Sequence, residues 1–237
     1  MNPQEPKFNL PASKLPEHKH GDPKDFRESF HWRVFRIMAE LVEGFQFLFD
    51  FKKTVTFFGS ARFTENDHWY GEARKLAQLL AGEGFTVVTG GGPGIMEAGN
   101  RGAFEQGGES VGLNIQLPME QRTNAYVKRG IGFHYFFTRK VMLSYSSWAY
   151  VFFPGGFGTL DEFFELITLV QTKKVSDRIP LVIVGREYWT GLLDWVDKIV
   201  FKKMLAIDKD DMKLYTMVDT AEEAFEIVKN CKQRMEF

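Results

Sequence analysis

Three times along this chain an apolar, strand-like run ends in a glycine turn that opens directly into a helical pattern. Lys53–Phe58 leads into Gly59-Ser60-Ala61-Arg62, Phe85–Val88 into Thr89-Gly90-Gly91-Gly92-Pro93-Gly94, and Tyr150–Phe153 into Pro154-Gly155-Gly156-Phe157-Gly158-Thr159. Strands that alternate with helices through short turns close their core as a parallel sheet with helices on both faces. The expected fold class is therefore α/β, a Rossmann-like three-layer α/β/α arrangement with a mainly parallel sheet. Ligands of such sheets lie at the carboxyl ends of the strands, near the point where the strand order reverses. All three glycine turns are expected to open on that edge.

The remaining chain fits this frame. Helical patterns are expected over His68–Ala81, Ile95–Glu105, from near Thr138, and over 159–172, 188–203 and 221–234; further strands are expected at Ser110–Ile115, Ile131–Phe136, 180–184 and 213–218. Ahead of the sheet, Phe30, Val34, Ile37, Met38, Leu41, Phe45 and Leu48 recur at helical spacing, so an amphipathic helix is expected at about 25–50. It either covers its own sheet or packs on a partner subunit. Residues 1–23 hold five of the nine prolines and few apolar side chains, the pattern of a flexible arm. Residues 24–237 read as a single nucleotide-binding domain.

Charge and cysteine usage narrow the function classes. Thirty Lys and Arg against 31 Asp and Glu leave a net charge of −1, which gives no footing for non-specific binding to nucleic acid or to a membrane. A small anionic ligand needs only local positive charge. One cysteine, Cys231, excludes an internal disulfide and a cysteine-rich metal site, and it suits a reducing compartment. The five histidines (His18, His20, His31, His68 and His134) show no metal-ligand spacing. With no long apolar run and no signal-like leader, the expectation is a cytoplasmic protein with no metal and no cofactor.

The turn at 154–159 is an anion site in outline, because glycines bare backbone N–H groups at the positive end of a helix dipole. The Gly90 turn lacks both the dinucleotide spacing and the G-K-[ST] of a P-loop. Its glycines still let the main chain approach a ligand closely, and Ser60, Gly91 and Gly92 join Gly155, Gly156, Gly158 and Thr159 as candidate binding positions. Thr159-Leu160-Asp161-Glu162 has the spacing of a capping box, in which Glu162 would return a hydrogen bond to the backbone at Thr159. Alternatively Glu162 is a first-turn carboxylate held ionised by the dipole at the mouth of a glycine loop, able to stabilise positive charge or orient water. Arg139 and Lys140 stand near a helix start, where cations are disfavoured by roughly 0.3–1 kcal/mol each. Something must compensate them, and a bound phosphate would do so.

Taken together, Gly90-Gly91-Gly92-Pro93-Gly94-Ile95-Met96-Glu97-Ala98, Arg139-Lys140 and Pro154-Gly155-Gly156-Phe157-Gly158-Thr159-Leu160-Asp161-Glu162 resemble the LOG (Lonely Guy) family. Its members are cytokinin riboside 5′-monophosphate phosphoribohydrolases, long labelled lysine decarboxylases. The resemblance spans roughly residues 53–220 and looks like the longer bacterial-type subgroup. It implies hydrolysis of the N-glycosidic bond of a purine nucleoside 5′-monophosphate, AMP or an N6-modified AMP, to free base and ribose 5-phosphate. By motif, Arg139 and Glu162 match the catalytic pair, while Lys140, Gly155 to Thr159 and Thr168 match substrate-contacting positions. Glu120 matches a further one less securely, since the 116–130 loop departs from the family in length and sequence. The resemblance also implies a homodimer or higher homo-oligomer.

A decarboxylase would need a pyridoxal-phosphate site with a Schiff-base lysine, and no such site is recognisable. The alternative is a non-catalytic protein that binds or carries a nucleotide or molybdenum cofactor. The pair Arg139 and Glu162 favours the enzyme, because a pure binder has little use for a carboxylate beside a phosphate.

Overall fold

The computed structural model describes residues 30–116, 123–176 and 179–231. The segment expected as a flexible arm, the first residues of the expected N-terminal helix, and Glu120 lie outside the described residues. The sheet has seven strands: β1 (Thr54–Phe58), β2 (Thr86–Thr89), β3 (Ser110–Ile115), β4 (Arg129–Phe133), β5 (Ala149–Phe152), β6 (Leu181–Val184) and β7 (Thr216–Val218). Their order is β4-β3-β2-β1-β5-β6-β7, and every pairing is parallel. The chain builds outward from β1 to β4, crosses back, and builds outward again from β5. The reversal point lies between β1 and β5, where Val55 to Phe58 pair with Ala149 to Phe152.

Among the described residues seven α-helices cover the sheet: α1 (Phe30–Phe49), α2 (His68–Gly82), α3 (Ile95–Glu105), α4 (Phe136–Tyr145), α5 (Phe157–Gln171), α6 (Arg186–Trp195) and α7 (Ala221–Val228). Successive strand residues face opposite sides, and the core divides accordingly. Val55, Phe57, Val151 and Phe153 pack with α2, α3 and α7, whereas Phe58, Tyr150 and Phe152 pack with α1, α4, α5 and α6. The central strands β1, β2 and β5 are buried along their whole length, and the edge strands β4 and β7 are not. Continuous apolar runs in the sequence are the signature of such doubly covered strands.

Several boundaries differ from the sequence reading. Strand β4 begins and ends earlier than 131–136, and α4 begins at Phe136 rather than near Thr138. Past Trp195 the expected helix continues to Lys203 as a π-helical segment. The consequential shift is at α5, which starts at Phe157 with Gly156 as N-cap. Among the described residues no helix is long and apolar enough to cross a membrane.

The three glycine turns open on one edge, and backbone hydrogen bonds tie them together. Ser60 N–H donates to the Pro154 carbonyl at 3.0 Å, and Ile95 N–H donates to the Ser60 carbonyl at 3.0 Å. Gly94 makes this possible. Its φ is 70°, and a Cβ there would run into the Ser60 carbonyl oxygen and lie 2.7 Å from the Ala61 carbonyl carbon. Backbone strain and a backbone clash combine, so Gly94→Ala is expected to cost about 2–5 kcal/mol in urea unfolding with an unchanged m-value.

Candidate active site

A cleft of about 1120 Å³ lies along this edge. Its walls are the turn after β1 (Gly59 to Phe63), Gly90 and Met96 beside β2, Ile115, the start of α4 (Phe136, Phe137, Arg139, Lys140), and the turn after β5 with the first turns of α5 (Pro154 to Glu162). It therefore straddles the β1–β5 reversal, where the topology leaves a crevice between loops that diverge.

Gly155 to Thr159 form one wall. The first N–H groups of a helix lack intrahelical acceptors, and α5 has no acidic residue in its first turn to occupy them. A Cβ on Gly155 would collide with the Thr159 side chain and approach the Ser60 N–H at 3.0 Å, so the turn is closed tightly against β1. The Gly155 carbonyl accepts a hydrogen bond from the Tyr188 hydroxyl at 2.7 Å. This is a rigid, donor-lined turn at a dipole's positive end, suited to an anion.

Glu162 is not part of a capping box. With Gly156 as N-cap, Thr159 is the third helical residue and Glu162 lies in the second turn; no side chain caps α5. The dipole does not hold it ionised either. Burial pushes its pKa up to about 7, an effect that Arg139 opposes and Asp161 reinforces. At neutral pH it is poised between carboxyl and carboxylate.

Arg139 is half-buried in the same cleft. Its Nε donates to the Leu113 carbonyl at 2.7 Å, and burial lowers its pKa while the field of Glu162 raises it. The two side chains influence each other without forming an ion pair. Gly90 seats the guanidinium, since a Cβ on Gly90 would overlap Arg139 Nη2 and lie 2.8 Å from Met96 Sδ. Lys140 is satisfied within the protein: Nζ lies 2.6 Å from Asp161 Oδ2 and 3.7 Å from Glu165 Oε2. Burial pulls its pKa down, but these carboxylates outweigh that and raise it.

Ser60 lines the cleft, and its hydroxyl oxygen accepts from the Arg62 N–H at 3.1 Å. Gly91 and Gly92 sit behind Gly90, away from the cleft wall. Gly91, at φ 72°, turns over the Asn114 side chain and donates to the Thr89 hydroxyl, and the Gly92 carbonyl accepts from Asn124 Nδ2 at 2.9 Å. Thr168 is not in the cleft lining but in an adjoining shallow depression of about 350 Å³, which shares Lys140 and Asp161 with the cleft and adds Glu165. Its hydroxyl is committed to the Phe164 carbonyl at 2.7 Å. The sequence reading named Gly90 only as part of its loop and did not single out Arg62, Phe136, Phe137 and Tyr188. Arg62 had a signal, as a cation closing the turn after β1; Tyr188 had none, being brought in from α6 by the fold.

A family model described as "Possible lysine decarboxylase" matches residues 96–228, more than half of the chain. The chain belongs to this family, the LOG family of the motif resemblance. A probable cytokinin riboside 5′-monophosphate phosphoribohydrolase of Oryza sativa subsp. japonica is 35% identical over 133 residues, covering 54% of this chain and 52% of that protein. The chain thus spans about half the length of that relative. A cytokinin riboside 5′-monophosphate phosphoribohydrolase of Arabidopsis thaliana is 29% identical over 152 residues, covering 63% of this chain and 66% of that one. Among solved structures, the molybdenum cofactor binding protein of Rippkaea orientalis shares the fold with a TM-score of 0.57 at 20% identity, over 75% of this chain and 96% of that one. The molybdenum cofactor carrier protein of Chlamydomonas reinhardtii does so with a TM-score of 0.52 at 22% identity, over 76% and 98%.

The family model's description implies pyridoxal phosphate, and this LOG-family cleft does not fit it. Among the described residues Lys140 is the lysine that lines the cleft, and it is held as an ammonium by Asp161, the opposite of what an imine-forming amine requires.

Two consequences are measurable. A folded-state pKa of about 7 for Glu162, against 4.5 for an ordinary Glu, means the folded protein binds the extra proton between those values. Stability due to this group is therefore lost as pH rises through that window. Glu162→Gln should gain about 2–3 kcal/mol at pH 8 and nothing near pH 4, by chemical denaturation at both. Gly90→Ala should push the guanidinium off its seat. A carboxyl-resonance NMR titration should then place Glu162 higher than in the wild type, because the nearby positive charge is withdrawn.

Proposed function

We propose that this protein hydrolyses the N-glycosidic bond of a purine nucleoside 5′-monophosphate, AMP or an N6-modified AMP, giving free base and ribose 5-phosphate. The observation that carries the reading is a carboxylate with a pKa of about 7 buried in one cleft with Arg139, one helical turn beyond an acid-free glycine turn. The curated relatives named for this reaction support it. The molybdenum-cofactor proteins are alike in fold alone, so they lend the carrier reading no further weight.

In this reading the 5′-phosphate rests on the backbone N–H groups of Gly155 to Thr159, with Arg62 across the cleft. Lys140, already paired with Asp161, contributes field rather than a free ammonium. Cleavage of the C1′–N bond leaves a sugar with oxocarbenium character. Ionised Glu162 stabilises that cation and accepts a proton from the water that attacks C1′; the departing base takes up a proton as it leaves. Arg139 fixes the substrate and keeps Glu162 from climbing further in pKa. Since phosphate contacts supply orientation, the nucleoside without its phosphate should react poorly.

A cytoplasmic homodimer belongs to this reading. Phe35, Met38, Val42 and Phe49 are exposed along α1 at spacings of three, four and seven, the period with which one helix meets another.

The test is incubation with AMP and with N6-isopentenyl-AMP, following free base and ribose 5-phosphate. Glu162→Ala and Arg139→Ala should each lower release by about 10²–10⁴-fold while the fold is kept. Wild type that binds AMP yet releases no base from either nucleotide would overturn the enzyme reading. Because Glu162 acts ionised, kcat/KM should rise with pH through about 7, and Glu162→Gln should abolish that limb.

A further inference from the structure

Arg139 and Lys140 are the fourth and fifth residues of α4, and cations that close to a helix start are held against its positive dipole end. The cost is compounded because α4 lacks a cap of its own: Tyr135 is the N-cap, and no side chain of the N-cap residue accepts from the first turn. Lys140 is answered by Asp161. What answers the helix start comes from far away in the chain. Glu40, in the middle of α1, accepts from His134 N–H at 2.9 Å, from Tyr135 N–H at 3.3 Å and from the buried Thr138 hydroxyl at 2.6 Å. One carboxylate therefore occupies two backbone donors ahead of α4 and the side chain of its third residue, and it places a negative charge at the helix end that carries two positive ones.

The docking of α1 at this point is close. Four residues beyond Glu40, Gly44 is buried, and a Cβ on it would lie 2.7 Å from Met142 Sδ and 3.1 Å from the Phe133 ring. Met142 is on α4 and Phe133 ends β4, so α1 packs on both elements that the turn joins. Titratable groups facing Glu40 are His134 and Arg36. Burial and then the charge of Arg36 lower the His134 pKa, with Glu40 opposing.

We propose that Glu40 is a positioning residue for Arg139, and that α1, which precedes the segment matched by the family model, is a working part of the active site. Glu40 fixes the start of α4 and offsets its charge, which lets Arg139 reach the Leu113 carbonyl and lie against Gly90. Glu40 itself lines no part of the cleft. The proposal rests on the nucleotide hydrolase reading for its kinetic arm only.

The test uses the full chain with Glu40→Ala, and with Glu43→Ala, an exposed neighbour on α1, as control. By hydrogen exchange, Glu40→Ala should lose protection at least tenfold at His134, Tyr135, Arg139 and Lys140 while β1 and α2 keep theirs. In kinetics with AMP, kcat/KM should fall at least tenfold and the limb near pH 7 should move to higher pH, since Arg139 no longer lowers the Glu162 pKa. A merely structural loss would not move that limb. Glu43→Ala should match wild type in both. Unchanged protection at those four amides, or lost activity with the limb unmoved, would overturn the proposal. If Glu40→Ala loses protection throughout the fold, Glu40→Gln, which keeps the shape and one acceptor oxygen, is read by the same two measurements. If wild type releases no base, the hydrolase reading fails, and the exchange arm still decides whether Glu40 holds the start of α4.

Discussion

Arg139 and Glu162 are ionisable groups largely withdrawn from water at the carboxyl edge of a parallel sheet, and among the described residues neither is given a direct ionic partner. Removing a charge from water costs several kcal/mol even after relaxation, so each must be accommodated by other means. Arg139 gains one backbone carbonyl, Leu113, and a space left free by Gly90. Glu162 gives up part of its charge, its pKa rising to about 7. Lys140 next door is treated differently, with Asp161 at 2.6 Å and Glu165 at 3.7 Å. The contrast separates a charge that is structurally satisfied from two that are held ready.

Holding them ready falls to the sheet. The reversal between β1 and β5 makes the loops on either side diverge, and parallel pairing points every strand's carboxyl end to the same edge. Ser60 then joins the three glycine turns, donating to Pro154 and accepting from Ile95. A cleft built this way is stiff, because each wall is an extension of a fully buried strand or the first turn of a helix packed on the sheet.

The strands and glycine turns were legible in the sequence because their physics is local. Buried parallel strands read as unbroken apolar runs, and a turn that crosses from strand to helix needs glycine. The start of α5 was misread for an equally physical reason: Thr159 and Glu162 have capping-box spacing, but Gly156 caps the helix with backbone alone and leaves no side-chain signal. Of the three glycines Gly90 alone lines the cleft, and the sequence could not rank them, since only the position of Arg139, arriving from another strand–helix unit, distinguishes the three. Thr168 has the motif spacing, yet two turns beyond Asp161 it lines the adjoining depression that shares Lys140 and Asp161 with the cleft, and not the cleft itself. Glu40 was beyond reach. It meets Thr138 across 98 residues, and its place in a pattern of exposed and buried helix positions gives no hint of that contact. The need for such a residue was nevertheless visible in two cations at an uncapped helix start.

The shift of α5 by two residues changes the chemistry and not only the boundary. A carboxylate in the first turn would be stabilised as an anion by the helix dipole, would have a lowered pKa, and would repel a phosphate from the same N–H groups. Set in the second turn, Glu162 is outside the reach of that dipole and inside the walls of the cleft, so burial dominates and the pKa rises. From Phe157 to Glu162 the helix climbs five residues, about 7.5 Å. In the proposed reading the turn that takes the phosphate and the carboxylate that takes the proton are thereby separated along one element by a distance on the order of that between the phosphate and the anomeric carbon of a phosphoribosyl group. One helix can hold both ends of such a substrate without either charge opposing the other, which a capping-box carboxylate at the helix start could not do.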